Sequence, residues 1–362
     1  MKRTNFFEIH KQLGGKIVSF AGFEMPIQYP RGIIHEHNIV RNGVGVFDVS
    51  HMGEFEVRGN DALAFIQKLT TNDCSKLAPG KAQYSAMCYG NGGIVDDLLV
   101  YHCGDYYMLV VNGANEEKDF AWALENSKSF GDIELTDVSD DINLLAIQGP
   151  RSLDTLQKLT DVTLADIPYY NFAFGSFAGV DAIISRTGYT GELGAEIYFR
   201  SGGDTATAVW NAIFDAGAEF GIEPIGLGAR DTLRLEKGYC LYGNEIDAST
   251  HPLEAGLGWI VKLAKGDFNG KVAIEAAKSA GLTRKLTGFV MKTEKLIPRH
   301  GYKIIINGKE AGTVTSGNIS PILNTGIGLG YVPVNCAAPG IQIEIAARGT
   351  TFPAETAKFP FV

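Results

Sequence analysis

Residues 92–101 read GGIVDDLLVY, two adjacent aspartates inside a run with the composition of a buried strand. Burying even an uncharged polar group without a partner costs roughly 2–7 kcal/mol, and a lone carboxylate far more. Asp96 and Asp97 therefore need a reason to stand between Ile94-Val95 and Leu98-Leu99-Val100. Neighbouring side chains of a strand point to opposite faces, so at most one of the pair enters a given pocket. Two readings fit: a strand end whose acids cap a turn, or one acid placed for chemistry. The rest of the chain weighs on that choice.

With 362 residues the chain has room for two or three domains. Its 45% hydrophobic and 20% charged content suits packed cores rather than a disordered polymer. No apolar core of signal-peptide length follows Met1, and no apolar run approaches the ~18 residues of a membrane span. The expected location is the cytoplasm, with no membrane partner. Cys74, Cys88, Cys103, Cys240 and Cys336 are scattered, odd in number and without a CxxC pair, which argues for free thiols and against a zinc ribbon. His35-Glu36-His37 lacks the HExxH spacing; both histidines are read as surface residues, and no metal is expected. A formal charge of −9 disfavours nucleic acid as a partner, so an anionic ligand must meet a local Arg or Lys cluster.

The first 250 residues mix signals of both kinds. Residues 16–20 and 54–58 alternate like half-buried strands. Helices are expected over 61–70 with Asn60 or Asp61 as N-cap, over 115–128, from Pro150 through 160, and over 204–220 through Val209, Ile213 and Phe214. The absence of a regular βαβ rhythm favours α+β over a doubly wound sheet. After about Gly281 short strands take over, at 285–291, 302–306, 310–315, 327–332 and 341–346, with Asn307-Gly308 as a two-residue hairpin turn. These last residues read as a small all-β barrel or jelly-roll-like module.

Nucleotide motifs are missing: Gly326-Ile327-Gly328-Leu329-Gly330 lacks the GxGxxG spacing, and no GxxxxGK[ST] or GxSxG occurs. In GLGARDTLRLEKGYCLYGNEID (226–247), helical spacing brings Arg230, Arg234 and Lys237 near one another. That is either a solvated basic stripe paired with Asp231 and Glu236, or an anion clamp with Arg230 in a first turn rich in unpaired N–H groups. Glu196, ahead of Ile197-Tyr198-Phe199, is either a strand-edge charge or an acid for a ligand carrying adjacent N–H donors. Tyr84, Tyr101, Tyr189, Tyr239 and Tyr242 recur beside glycines and acids, which fits core walls or a flat heteroaromatic ligand.

Taken together the motifs resemble the aminomethyltransferase (T-protein) family of the glycine cleavage system. The resemblance runs in order through FAGFEMPIQY (20–29), FDVSHMGEF (47–55), GGIVDDL (92–98), QGP (148–150), SRTGYTGE (185–192), GLGARDTLRLEKGYCLYGNEID and TSGNISP (315–321). It implies a three-part α+β architecture around a central channel with a C-terminal barrel. Residues 1–265 would form the folate-binding region as two intertwined α+β subdomains, 266–280 a linker and 281–362 the barrel. It also implies the reaction: the methylene of an aminomethyl group passes from the dihydrolipoyl arm of the H-protein to tetrahydrofolate, with release of ammonia and formation of 5,10-methylenetetrahydrofolate. Tetrahydrofolate is then a co-substrate, with neither metal nor nucleotide. The H-protein is a transient partner of a monomer, linked functionally to a pyridoxal-phosphate glycine decarboxylase and a dihydrolipoyl dehydrogenase.

Residue by residue, the resemblance places the essential acid at Asp97 rather than Asp96. It places Glu196 on the pterin, and Met52, Tyr84, Tyr101, Val110, Asn112, Tyr189, Arg230 and Tyr239 along the folate site. Two departures stand out: Leu193 replaces an aspartate common in relatives, and the chain stops at Pro360-Phe361-Val362 without a basic extension. The reaction fits the residues. Alignment of two bound reactants supplies roughly 7–11 kcal/mol without a nucleophile of the protein's own. A preorganised carboxylate suits the positive charge that develops on the transferring unit.

Overall fold

The computed structural model describes all 362 residues and divides into two compact units. The first comprises Met1–Ile66, Cys74–Tyr84 and Leu98–Arg230; the second comprises Gln67–Asp73, Ser85–Asp97 and Asp231–Val362.

In the first unit a six-stranded sheet runs in the order Phe172–Phe177, Val180–Ser185, Gly194–Arg200, Ile142–Gln148, Gly45–Asp48, Glu223–Pro224. Only the last pair is parallel. The helix Gly203–Gly217 buries Ala206, Val209, Trp210 and Ile213 in its core, the face expected from the sequence spacing. Phe6 and Trp210 meet there with ring centroids 5.4 Å apart. Tyr107–Val111, Gly53–Arg58 and Glu134–Asp137 extend a second, five-stranded sheet that begins with Lys81–Cys88 and Ile94–His102. One of its faces carries Phe55, which packs edge-on against Phe120 at 5.2 Å.

Most expected elements form close to their expected ends: Lys16–Phe20, Ala62–Leu69, Glu116–Ser127 and Ser152–Leu156. Asp61 stands one residue before its helix, but its carboxylate accepts the N–H groups of Gly131 and Asp132 at 2.9 and 3.0 Å. The reading of His35 and His37 as surface residues is wrong. They lie on the helix Ile33–Asn42, where His37 is fully buried and His35 is partly buried and bonded to Glu223 at 2.8 Å. Between them Glu36, also buried, accepts the N–H of Tyr29 at 2.6 Å and of Gly226 at 2.8 Å, so this helix is an inner element.

The second unit holds a closed barrel in the order Arg284–Met291, Thr325–Pro333, Lys309–Ser320, Lys303–Ile306, Gln342–Ala347, Thr350–Ala357. Phe289, Ile304, Val314, Ile345 and Ala354 fill its core. Asn307 and Gly308 both have positive φ, 52° and 75°, the backbone a two-residue primed turn requires. Residues 266–280, expected to connect two parts, contain the helix Lys271–Ala280. In the same unit the strand carrying the two aspartates is tied down at its start. The Ile94 N–H reaches the carbonyls of Asp247 and Thr250 at 3.1 and 3.0 Å, and Tyr242 donates to the Ile94 carbonyl at 3.1 Å. A Cβ on Gly93 would lie 2.0 Å from the Ala248 carbonyl oxygen, so this position demands glycine.

Candidate functional site

In the first unit strand alternation and register assemble one polar cluster. Glu196 and Tyr198, two apart on Gly194–Arg200, point to one face of their sheet. The Thr187 hydroxyl donates to Oε2 of Glu196, and the Tyr198 hydroxyl lies 3.4 Å from the same oxygen. Behind them the fully buried Tyr101 hydroxyl sits 3.0 Å from Tyr198, 3.1 Å from Ser185 and 3.2 Å from Thr187, and its ring packs against Phe172 and Tyr198. Every hydrogen bond the protein makes to Glu196 therefore falls on one oxygen, and Oε1 has no protein partner. Burial pushes this carboxyl above the ordinary range, while the Thr187 hydroxyl and the positive charge of Arg230 pull it back.

Arg230 rides in the first turn of the helix Leu227–Lys237, with its guanidinium 5.2 Å from the centre of the Tyr189 ring, a cation–π distance. The two glycines ahead of it serve close packing: a Cβ would lie 2.5 Å from the Ile27 carbonyl at Gly226 and 2.4 Å from Ile33 Cδ1 at Gly228. The anion expected at this helix start is the protein's own, because Glu36 takes the Gly226 N–H. Charge from Arg230 also reaches His51, whose imidazole is pushed down to about 3, chiefly by burial.

Cross-strand neighbours share a face, and the register aligns Leu99 with Val110 and Val110 with Glu54. Tyr101 follows Leu99 on that face, opposite Met108. Asn112 leads from this strand into a short 3₁₀ turn, and Met52 belongs to the turn before Gly53–Arg58. Those two turns press together: a Cβ on Gly113 would lie 1.8 Å from the His51 carbonyl oxygen. Glu54 is 1% exposed, and neither of its carboxyl oxygens has a hydrogen-bond partner in the protein. Burial first, then the charges of Glu116, Asp137 and Glu196, push its carboxyl well above the ordinary range. Tyr84 lies partly exposed on Lys81–Cys88.

The second unit brings Asp97 and Tyr239 into one neighbourhood. Asp96 is fully buried and Asp97 partly exposed, as opposite faces of one strand require. The Cys240 thiol, next in chain to Tyr239, is pushed up by burial, then by the charges of Glu245 and Asp97. Tyr239 itself is held through its backbone, N–H to the Arg234 carbonyl at 3.0 Å and carbonyl to the Arg234 guanidinium at 2.9 Å. Arg234 is buried and paired with Asp231 and Glu245, so of the two readings of this helix a solvated stripe does not hold at Arg234. Thr187, Ser185, Tyr198, His51 and Glu54 were not singled out from the sequence. A polar residue two positions from a neighbour in SRTGYTGE or GAEIY was the available signal.

An α+β body with a closed C-terminal barrel carries an acid held through one oxygen and an arginine laid over a tyrosine. The chain belongs to the glycine cleavage T-protein family: residues 6–265 match the GCVT N-terminal domain and 284–362 the glycine cleavage T-protein C-terminal barrel domain. It is 52% identical over 363 residues to an aminomethyltransferase of Halothermothrix orenii, covering 100% of both chains. A Bacteroides fragilis aminomethyltransferase is 53% identical over 365 residues, covering 100% of this chain and 99% of its own. The crystal structure of the glycine cleavage system aminomethyltransferase T from Bartonella henselae superposes with a TM-score of 0.93 at 32% identity, covering 100% of this chain and 98% of that one.

Proposed function

We propose that the chain, an aminomethyltransferase of the glycine cleavage system, moves the methylene of an aminomethyl group from the dihydrolipoyl arm of the H-protein to tetrahydrofolate. The atoms balance. The carbon leaves sulfur and its own nitrogen and bonds to two folate nitrogens, whose two protons depart with the thiol and with ammonia. The observation that carries the site assignment is Glu196, anchored through one oxygen, with the other open to N–H donors of a ligand and Arg230 over Tyr189 as a charged, flat surface. This donor and acceptor set fits a reduced pterin, which presents adjacent N–H groups and a ring to stack.

In this reading Tyr101, Val110, Leu99 and Met52 shape the apolar wall, while Asn112, Tyr84 and Tyr239 complete the polar contacts. Asp97 orients the reacting amine and stabilises the positive charge that develops on the transferring unit. The carrier arm must be loaded upstream by a pyridoxal-phosphate glycine decarboxylase and its dithiol reoxidised downstream by a dihydrolipoyl dehydrogenase. We place the enzyme in the cytoplasm, where its five unbridged cysteines stay reduced.

The test is formation of methylenetetrahydrofolate and ammonia from tetrahydrofolate and aminomethyl-loaded H-protein. Asp97→Asn is expected to keep tetrahydrofolate binding by calorimetry and to lose about 10²–10³ in turnover. Asp96→Asn is expected to lower stability by about 1–3 kcal/mol with little change in turnover. Normal turnover by the Asp97 variant would remove that residue from the reaction; no product from the wild type would remove the reaction.

A further inference from the structure

The TSGNISP run and the buried Arg234 take no part in the chemistry above, yet they meet in the second unit. Arg234 is 1% exposed, and its five N–H groups all find acceptors. Nε and Nη2 donate to Asp231 Oδ1 at 3.0 and 2.8 Å, and Nη2 also to Ser316 Oγ at 2.7 Å. Nη1 donates to Glu245 Oε2 at 2.8 Å and to the Tyr239 carbonyl at 2.9 Å. Glu245 is held in turn by the Thr315 hydroxyl at 2.7 Å and by the Leu241 N–H at 3.0 Å.

Consecutive residues of a regular strand cannot both reach one side. Thr315 and Ser316 do so because the strand Lys309–Ser320 shifts register between Val314 and Ser316 against Thr325–Pro333, leaving Thr315 as an extra residue. A bulge of this kind re-aims a side chain at the expense of ladder pairing. Asn244 donates to Ser316 Oγ at 3.1 Å and Asn318 to Asp231 Oδ2 at 3.3 Å, so the bulged strand grips the turn on both sides of Tyr239.

We propose that Arg234, fixed by the Thr315-Ser316 bulge, is a positioning residue for Tyr239, and that this is the barrel's contribution to folate binding. The inference rests on the folate reading of Tyr239 given above. Removing Arg234 outright would leave buried acids unpaired and endanger folding. Thr315→Val instead deletes one hydroxyl at nearly constant shape, with Ser316→Ala as the second variant.

The experiment is a double-mutant cycle on the full chain, measuring KM for tetrahydrofolate at saturating aminomethyl-loaded H-protein, with Tyr239→Ala as the second axis. Thr315→Val is expected to raise that KM about three- to tenfold, the worth of one hydrogen bond. It should add nothing in the Tyr239→Ala background and leave KM for the H-protein unchanged. Equal increases in both backgrounds would overturn the proposal, because the hydroxyl would then act elsewhere than through Tyr239. An unchanged KM with only a lower melting temperature would reduce the bulge to a structural feature. If the wild type forms no product, the underlying reaction is wrong, and the same cycle read as calorimetric dissociation constants for tetrahydrofolate still decides the role of Arg234.

Discussion

Glu54 shows how one side chain reports on its surroundings. With both oxygens sealed in the interior and no partner, it stays protonated in the folded protein at pH values where the unfolded chain has released its proton. The folded value is raised, so the stability contributed by Glu54 is fully present below the ordinary value of 4.5 and is lost as pH rises toward the folded one. Across that window the wild type is expected to lose up to about 1.4 kcal/mol per pH unit relative to Glu54→Gln, which has no proton to give up. Urea denaturation of both proteins from pH 4 to 9 measures the difference. Parallel stability curves would mean that Glu54 ionises as freely folded as unfolded. Little of this was legible in the sequence. MGEF shows an acid one residue from a strand's start, but which face it takes depends on the register against Val110.

Among the elements, the helix Leu227–Lys237 is held at its start by fit rather than by a capping side chain of its own. Gly228→Ala would drive a methyl group into Ile33 and is expected to lower stability by about 1–3 kcal/mol. Arg230, two residues on, would shift with that turn and raise KM for tetrahydrofolate. Denaturation and steady-state kinetics check the two effects, and an unchanged midpoint with an unchanged KM would show that the contact is slack. Elements with strong periodicity or turn chemistry were readable in advance, such as Lys16–Phe20, Gly203–Gly217 and the Asn307-Gly308 hairpin. Thr350–Ala357, which closes the barrel, was not expected, because Pro353 and scattered alanine and threonine hide its alternation. The strand Lys309–Ser320 runs further than expected because glycine and asparagine in TSGNIS mimic a turn where a bulged strand continues. His35 and His37 were misjudged because Glu36's two backbone partners lie far apart in the chain and leave no local trace.

For the molecule as a whole, the family match reads continuously while the compact units do not. The second unit gathers Gln67–Asp73, Ser85–Asp97 and everything from Asp231 onward. Cutting away the barrel at residue 281 would strip Arg234 and Glu245 of Ser316 and Thr315 and leave Glu236 without Ser320. Each hydrogen bond of this kind, to a charged group, is worth about 1.5–3 kcal/mol. A 1–280 fragment is therefore expected to lose its cooperative thermal transition, as scanning calorimetry would record. A sharp endotherm near that of the full chain would contradict it.

The tie between Ile94 and the backbone of Asp247 and Thr250 has a consequence for synthesis on the ribosome. The stretch bearing Asp97 leaves the exit tunnel about 150 residues before its anchor, a delay of roughly 8–30 s at 5–20 residues per second. During that interval the strand can already lie beside Tyr107–Val111, but its Ile94 end has no anchor. The start of the strand that bears Asp97 is therefore set only once about two thirds of the chain has been made.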